Sequence, residues 1–169
     1  MLDSVRTLWF IVAFLCISAC GQQDTTTIFL LRHAEKVEPF PDDDPPLTDL
    51  GKARAKALSA QLSVDSIHAF YSTDFLRTRQ TLAPVSASMQ AEIQTYEAHD
   101  YSGLADRVKQ RHKGQNVLVA GHSNTVLPII EALGAEPPLD SIGHQDYDYL
   151  FKVSLKGNDT SVKLMTFQP

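Results

Sequence analysis

The sequence predicts an α/β fold: one three-layer α/β/α sandwich around a mostly parallel central sheet. Three observations predict it. Short, continuously apolar runs rich in strand formers recur at Thr27–Arg32, Ile67–Ser72 and Asn116–Gly121, as strands buried on both faces do. Stretches with helical spacing of apolar residues separate them, the alternation that covers a parallel sheet on both sides. The chain has 169 residues, 43% hydrophobic and 21% charged, a composition that excludes fibrous and disordered classes.

The elements follow in order. After the first strand, residues 33–46 hold four prolines and the run Asp42-Asp43-Asp44, which reads as a solvated loop. Thr48 is placed to N-cap a helix with Asp49 in its first turn. Leu50, Ala53, Ala57, Leu58 and Leu62 then fall on one face. Ile67–Ser72 is the second strand. Asp74 is placed to cap a helix through about Met89, with Pro84 a kink site. A short third strand, Ile93–Tyr96, precedes a helix over Ser102–Lys113 that Gly114 ends. Asn116–Gly121 is the strongest strand pattern. A helix from about Asn124 to Leu133 stops at Gly134 and Pro137-Pro138. Tyr149–Leu155 and Ser161–Phe167 alternate as a hairpin around Gly157-Asn158. Tyr147 and Tyr149 read as strand and core residues.

The N-terminus differs in kind. Met1–Thr7 is polar with Arg6, and Leu8–Ala19 is almost wholly apolar. That run is shorter than the ~20 residues of a membrane span and fits a secretory signal. Ile17-Ser18-Ala19-Cys20 resembles a bacterial lipobox. The resemblance implies cleavage before Cys20 and lipidation of its thiol, and Gly21, where an Asp would favour inner-membrane retention, implies the outer membrane. An uncleaved anchor or a buried N-terminal helix is the alternative. The expected division is a signal peptide at 1–19, a lipidated tether at 20–26 and a folded domain at 27–169. Two cysteines, Cys16 and Cys20, cannot build a disulfide framework or a Cys-rich zinc site. A net charge of −5 lacks the footprint of a nucleic-acid binder.

Ligands of open α/β sheets bind beyond the carboxyl ends of strands. The first strand ends in Arg32-His33-Ala34-Glu35. Ser72 ends the second, with Arg77 and Thr78 about a helical turn further on. The fourth ends in Gly121-His122-Ser123-Asn124. Arginine offers a permanently charged donor fork matched to phosphate oxygens. Neutral imidazole is a nucleophile toward phosphorus. Two Arg and two His without a lysine-bearing Gly-rich loop point to phosphoryl transfer to histidine, not to nucleotide binding.

Leu31-Arg32-His33-Ala34-Glu35, Leu47-Thr48-Asp49-Leu50-Gly51, Ser72 through Thr81 and Gly121-His122-Ser123-Asn124, in that order, resemble the histidine phosphatase superfamily, the phosphoglycerate-mutase-like group. The resemblance implies that fold and makes His33 the nucleophile that becomes phosphohistidine. Arg32, Arg77 and His122 would line the phosphate pocket, with Ser123 and Asn124 as motif neighbours. Thr48 and Gly51 would pack the first helix against the site. Ala34 departs from the more familiar glycine. Glu97 is the best positional match for the family's proton donor, with Glu35, Asp100 and Asp146 as rivals. His68, His99, His112 and His144 carry no motif. The chain has no room for large lids, which implies a bulky or surface-presented phosphate ester.

The expected function is a metal-independent phosphomonoesterase with no cofactor. Its partner would be a phosphorylated small molecule or an envelope glycan phosphate, on the periplasmic side of the outer membrane. A non-catalytic phosphate-binding module and a phosphohistidine-protein phosphatase are the alternatives.

Overall fold

The computed structural model describes residues 24–169. The signal peptide, the lipobox and Cys20 lie outside the described residues. Ten elements follow one another: β1 (Thr26–Arg32), α1 (Asp49–Gln61), β2 (Ile67–Ser72), α2 (Leu76–Ser88), β3 (Ile93–Thr95), α3 (Tyr101–Arg111), β4 (Asn116–Gly121), α4 (Val126–Leu133), β5 (Tyr149–Lys156) and β6 (Asp159–Thr166). The strands form one sheet in the order β3-β2-β4-β1-β5-β6. The four strands from β3 to β1 run parallel, and the hairpin β5–β6 closes the far edge antiparallel. The α/β expectation holds.

β1 shows why the sheet sits in the middle. All of its residues are buried. Its side chains alternate: Ile28 and Leu30 join Leu104, Val108, Val126 and Ile130 of α3 and α4, while Phe29 and Leu31 join Leu58, Leu82 and Val85 of α1 and α2. Period-two alternation therefore feeds two cores, one on each face. Fully burying each such side chain contributes about 1.5–3 kcal/mol.

The loop before α1 is pinned to the end of β1. The Thr48 amide donates to the Glu35 carbonyl at 2.9 Å, and the Thr48 hydroxyl accepts from the Gly51 amide at 3.0 Å. Gly51 faces the Glu35 backbone, where a Cβ would stand 2.3 Å from the carbonyl oxygen. Arg54 grips the Glu35 carboxylate and also donates to the Phe167 carbonyl at 3.2 Å.

Several boundaries differ from the sequence reading. β1 starts at Thr26, because Thr26 already pairs with Leu155. The buried face of α1 is Gly51, Ala55 and Leu58, with Leu62 just beyond, whereas Leu50 is 55% exposed and Ala53 is also exposed. The close approach to Glu35 sets that rotation; apolarity alone does not. Phe75, not Asp74, is the N-cap of α2, and Asp74 pairs with Arg79 instead. Asp44 satisfies the exposed helix start from a distance, accepting from the Leu76 amide at 2.7 Å. α3 begins at Tyr101 because Asp100 caps it through the Gly103 amide, and α4 begins only at Val126. Gly134 ends α4 at φ 98°, a left-handed value glycine takes without cost. Among the described residues no helix is long and apolar enough to cross a membrane.

Gly51→Ala is expected to cost about 2 kcal/mol of stability through overpacking. Urea unfolding measures it, and an unchanged midpoint would show that the contact yields freely.

Candidate active site

Parallel strands end at one edge of the sheet, and three of them deliver the site. β1 pairs with β4 so that Arg32 lies opposite Gly121. The His33 amide donates to the Gly121 carbonyl at 2.9 Å, which sets His33 beside His122; the ring centroids are 5.5 Å apart, edge to face. β2 ends at Ser72, and Arg77 follows in the first turn of α2. Arg32, His33, Arg77, His122, Ser123 and Asn124 share one cavity of about 370 Å³. These residues, distant in sequence, are brought together.

His33 is 4% exposed. Its Nδ1 lies 2.7 Å from the Ala34 carbonyl, so Nδ1 carries the proton and donates. Nε2 then keeps its lone pair. Burial lowers the His33 pKa to about 3; the Ala34 carbonyl opposes this, and Arg32, His122 and Arg77 add to the lowering. The ring is neutral and nucleophilic near pH 7. His122 is lowered to about 4, first by burial and then by Arg77 and Arg32. Its Nε2 lies 3.0 Å from the Thr73 hydroxyl, and its amide donates to the Thr125 hydroxyl at 2.8 Å. Phe75 meets it edge-on at 5.3 Å.

Arg32 is held without a carboxylate. Its Nη1 donates to the carbonyls of Gly143 at 2.9 Å, His144 at 3.0 Å and Asp146 at 3.4 Å. The Tyr147 ring stacks on the guanidinium at 4.2 Å. Arg77 stacks on Phe75 at 4.2 Å and lies 3.7 Å from the Asp44 carboxylate. Burial lowers the pKa of both arginines, and at neutral pH both stay charged. Each keeps a buried Nε with no hydrogen-bond partner among the described residues. Leftover buried donors of this kind cost about 1–3 kcal/mol each.

The acids fall elsewhere than expected. Glu97 is exposed and is not among the cavity's lining residues, although its neighbours Ala98 and His99 are. Glu35 is occupied by Arg54 at 2.7–2.9 Å. Asp100 caps α3, and the Asp146 carboxylate accepts from the Gly143 amide at 2.8 Å. The carboxylate lining the cavity is Glu38. Lys36 pairs with it and holds it below the usual carboxylate range. His144 Nε2 lies 3.8 Å from its other oxygen.

Sequence reading missed Glu38, Phe75, His99, His144 and Tyr147. Loop closure over tens of residues brings the last two in, and nothing local announces it. Glu38 lies only five residues after His33, so its nearness to the motif was an available signal. Among the described residues no cluster of three His, Cys, Asp or Glu is arranged to hold a metal ion.

The family model of the histidine phosphatase superfamily (branch 1) matches residues 28–99, the segment holding Arg32, His33 and Arg77. Over that segment, less than half of its length, the chain is similar to the histidine phosphatase superfamily. Solved structures of low identity share its fold. The protein histidine phosphatase SixA, complexed with tungstate, aligns at TM-score 0.69 and 19% identity, covering 83% of this chain and 96% of SixA. A mycobacterial glucosyl-3-phosphoglycerate phosphatase aligns at TM-score 0.64 and 13% identity, over 85% of this chain and 99% of its own. A protein named mycobacterial hydrolase 1 aligns at TM-score 0.62 and 13% identity, over 86% and 99%. No curated protein matches the sequence significantly.

The two depressed imidazoles bear on stability. Unfolded histidine titrates near ~6.5, whereas His122 and His33 in the fold wait until about 4 and about 3. As pH falls below ~6.5 the unfolded chain takes up their protons first, and stability declines. The thermal midpoint of phosphate-free protein is expected to drop from pH 6.5 to 4.5, and to drop less in a His33→Asn/His122→Gln double variant. Equal slopes would acquit the imidazoles.

Proposed function

We propose that this protein is a metal-independent phosphomonoesterase that works through a phosphohistidine at His33 and is lipid-anchored in the cell envelope. The superfamily match supports a phosphatase. One observation carries the mechanism: a buried, neutral His33 with Nε2 free shares its cavity with Arg32, Arg77 and His122.

Nε2 attacks phosphorus in line, and the bond to the ester oxygen breaks. The leaving oxygen takes its proton from a carboxyl group beside the cavity, and the carboxylate so formed takes one back from the attacking water. Water then attacks phosphorus, the P–N bond breaks, and inorganic phosphate leaves with His33 restored. Arg32 and Arg77 face the charge spread over the transferring oxygens, with neutral His122 as a further polar contact. Fixed before substrate arrives, these groups need little reorganisation during reaction. The chain's own cations supply the field, so turnover is expected to survive chelation.

Two carboxylates compete for the proton. Glu38 lines the cavity, and Glu97 is one residue removed from its wall. Glu38→Gln and Glu97→Gln, assayed on esters of graded leaving-group pKa, separate them. The donor's variant loses most on the poorest leaving group.

Substrate and place rest on location and openness. Lipidation at Cys20 would tether the domain by its N-terminus, so a phosphorylated small molecule or an envelope glycan phosphate is the natural substrate. Intact mass of membrane-extracted protein, with and without Cys20→Ser, tests the anchor. SixA is named a protein histidine phosphatase, which favours phosphohistidine protein as the second reading. Side-by-side turnover of a phosphohistidine peptide and small esters decides between them.

His33→Ala is expected to abolish turnover and covalent phosphate labelling; retained turnover would refute the nucleophile. Arg77→Ala should lower kcat by ~10²–10³-fold, as removed oxyanion donors do. An intact rate in that variant takes Arg77 out of the reaction, and background labelling without turnover marks the domain as a phosphate-binding module.

A further inference from the structure

The catalytic cavity has a neighbour. A groove of about 590 Å³ lies under the loop that leaves β1, and Lys36 and Glu38 line both spaces. A phosphoryl group attacked in line by His33 must carry its leaving group outward, away from the ring. The groove adjoins the cavity at Lys36 and Glu38. The volume is within the ~300–1,000 Å³ of small-molecule sites.

The groove has a definite chemistry. Pro39, Phe40 and Pro45 give it an apolar side, and Phe40 is 38% exposed. Its charged wall is Glu38, Asp42 and Asp43. Lys36 is paired with Glu38. Asp42 and Asp43 have no ion-pair partner among the described residues. The lining of the groove therefore carries more negative than positive charge, although Arg77 of the adjoining cavity donates to the Asp43 carbonyl at 3.3 Å.

Resting on the phosphatase reading above, we propose that this groove is the leaving-group subsite and selects phosphate esters whose alcohol part is apolar or aromatic and bears a cation. The phosphate end goes to Arg32 and Arg77, and the ammonium end faces Asp42 and Asp43. A leaving group with added phosphates or carboxylates is repelled by the same residues. The two ends of the substrate are thus sorted by charge. This narrows the substrate class from phosphate esters in general to zwitterionic ones.

Two aryl esters test it: phenyl phosphate with a para aminoethyl arm and phenyl phosphate with a para carboxyethyl arm. The reacting bond is nearly the same, and only the distal charge differs. At low salt kcat/KM should favour the amine by about fivefold or more, as expected for two exposed carboxylates acting across several ångströms of water. The ratio should shrink in 0.5 M salt. In the Asp42→Asn/Asp43→Asn protein the ratio should approach one. A ratio near one in the unaltered protein, or a preference that persists in the double variant, overturns the subsite. If neither ester turns over, the phosphatase reading fails, and the groove is judged separately. Calorimetry with His33→Ala protein then compares binding of the same two esters. A preference for the amine that is lost on Asp42→Asn/Asp43→Asn substitution supports the groove; equal binding, or none, overturns it.

Discussion

The site depends on how Arg32 is held. A guanidinium that is 6% exposed would ordinarily be expected to face a carboxylate, because burying an unpaired charge is expensive. Here three backbone carbonyls, a phenol oxygen and the Tyr147 ring take that place. All of these partners are neutral, so they orient the charge without cancelling it. The positive field survives for an anion. Glu35, the acid nearest in sequence, is kept away by Arg54. The segment 143–147, remote in sequence, becomes part of the site only because its carbonyls converge on this one group.

Burial, reinforced by the same field, sets the state of the imidazoles. Burial and two nearby guanidinium groups both disfavour a charged ring, and His33 and His122 respond together. A nucleophile kept neutral by burial, with its cationic neighbours adding to the effect, needs no separate base. Its tautomer is set by one short bond to the carbonyl next in the chain. Helix α1 is docked against that same turn through Gly51 and Thr48, so the packing of the first core and the aim of the nucleophile share one stretch of backbone.

Much of this was legible in the sequence. Apolar runs separated by amphipathic stretches gave the strand and helix order. Arg32, His33, Arg77 and His122 stood out because each follows a strand, and parallel strands end together. What stayed hidden has a common cause. Tyr147 and His144 reach the site through a loop whose carbonyls bind Arg32, and no residue type marks a carbonyl. Leu50 misled because amphipathic spacing ignores the steric demand that Gly51 puts on the rotation of α1. Glu97 was chosen by its place after a strand; that strand is at the sheet edge, and Glu97 is exposed one residue from the cavity wall. Asp44 looked like one of three solvated acids, but the amide of Leu76 claims it.

The direction of β1 has an orienting consequence. The described chain starts at Asp24, beside Gly114, and β1 then runs its seven residues with Arg32 as the last. At ~3.3 Å per residue that separates the start of the strand from Arg32 by roughly 20 Å. The start of β1 and the cavity therefore lie at opposite ends of the sheet.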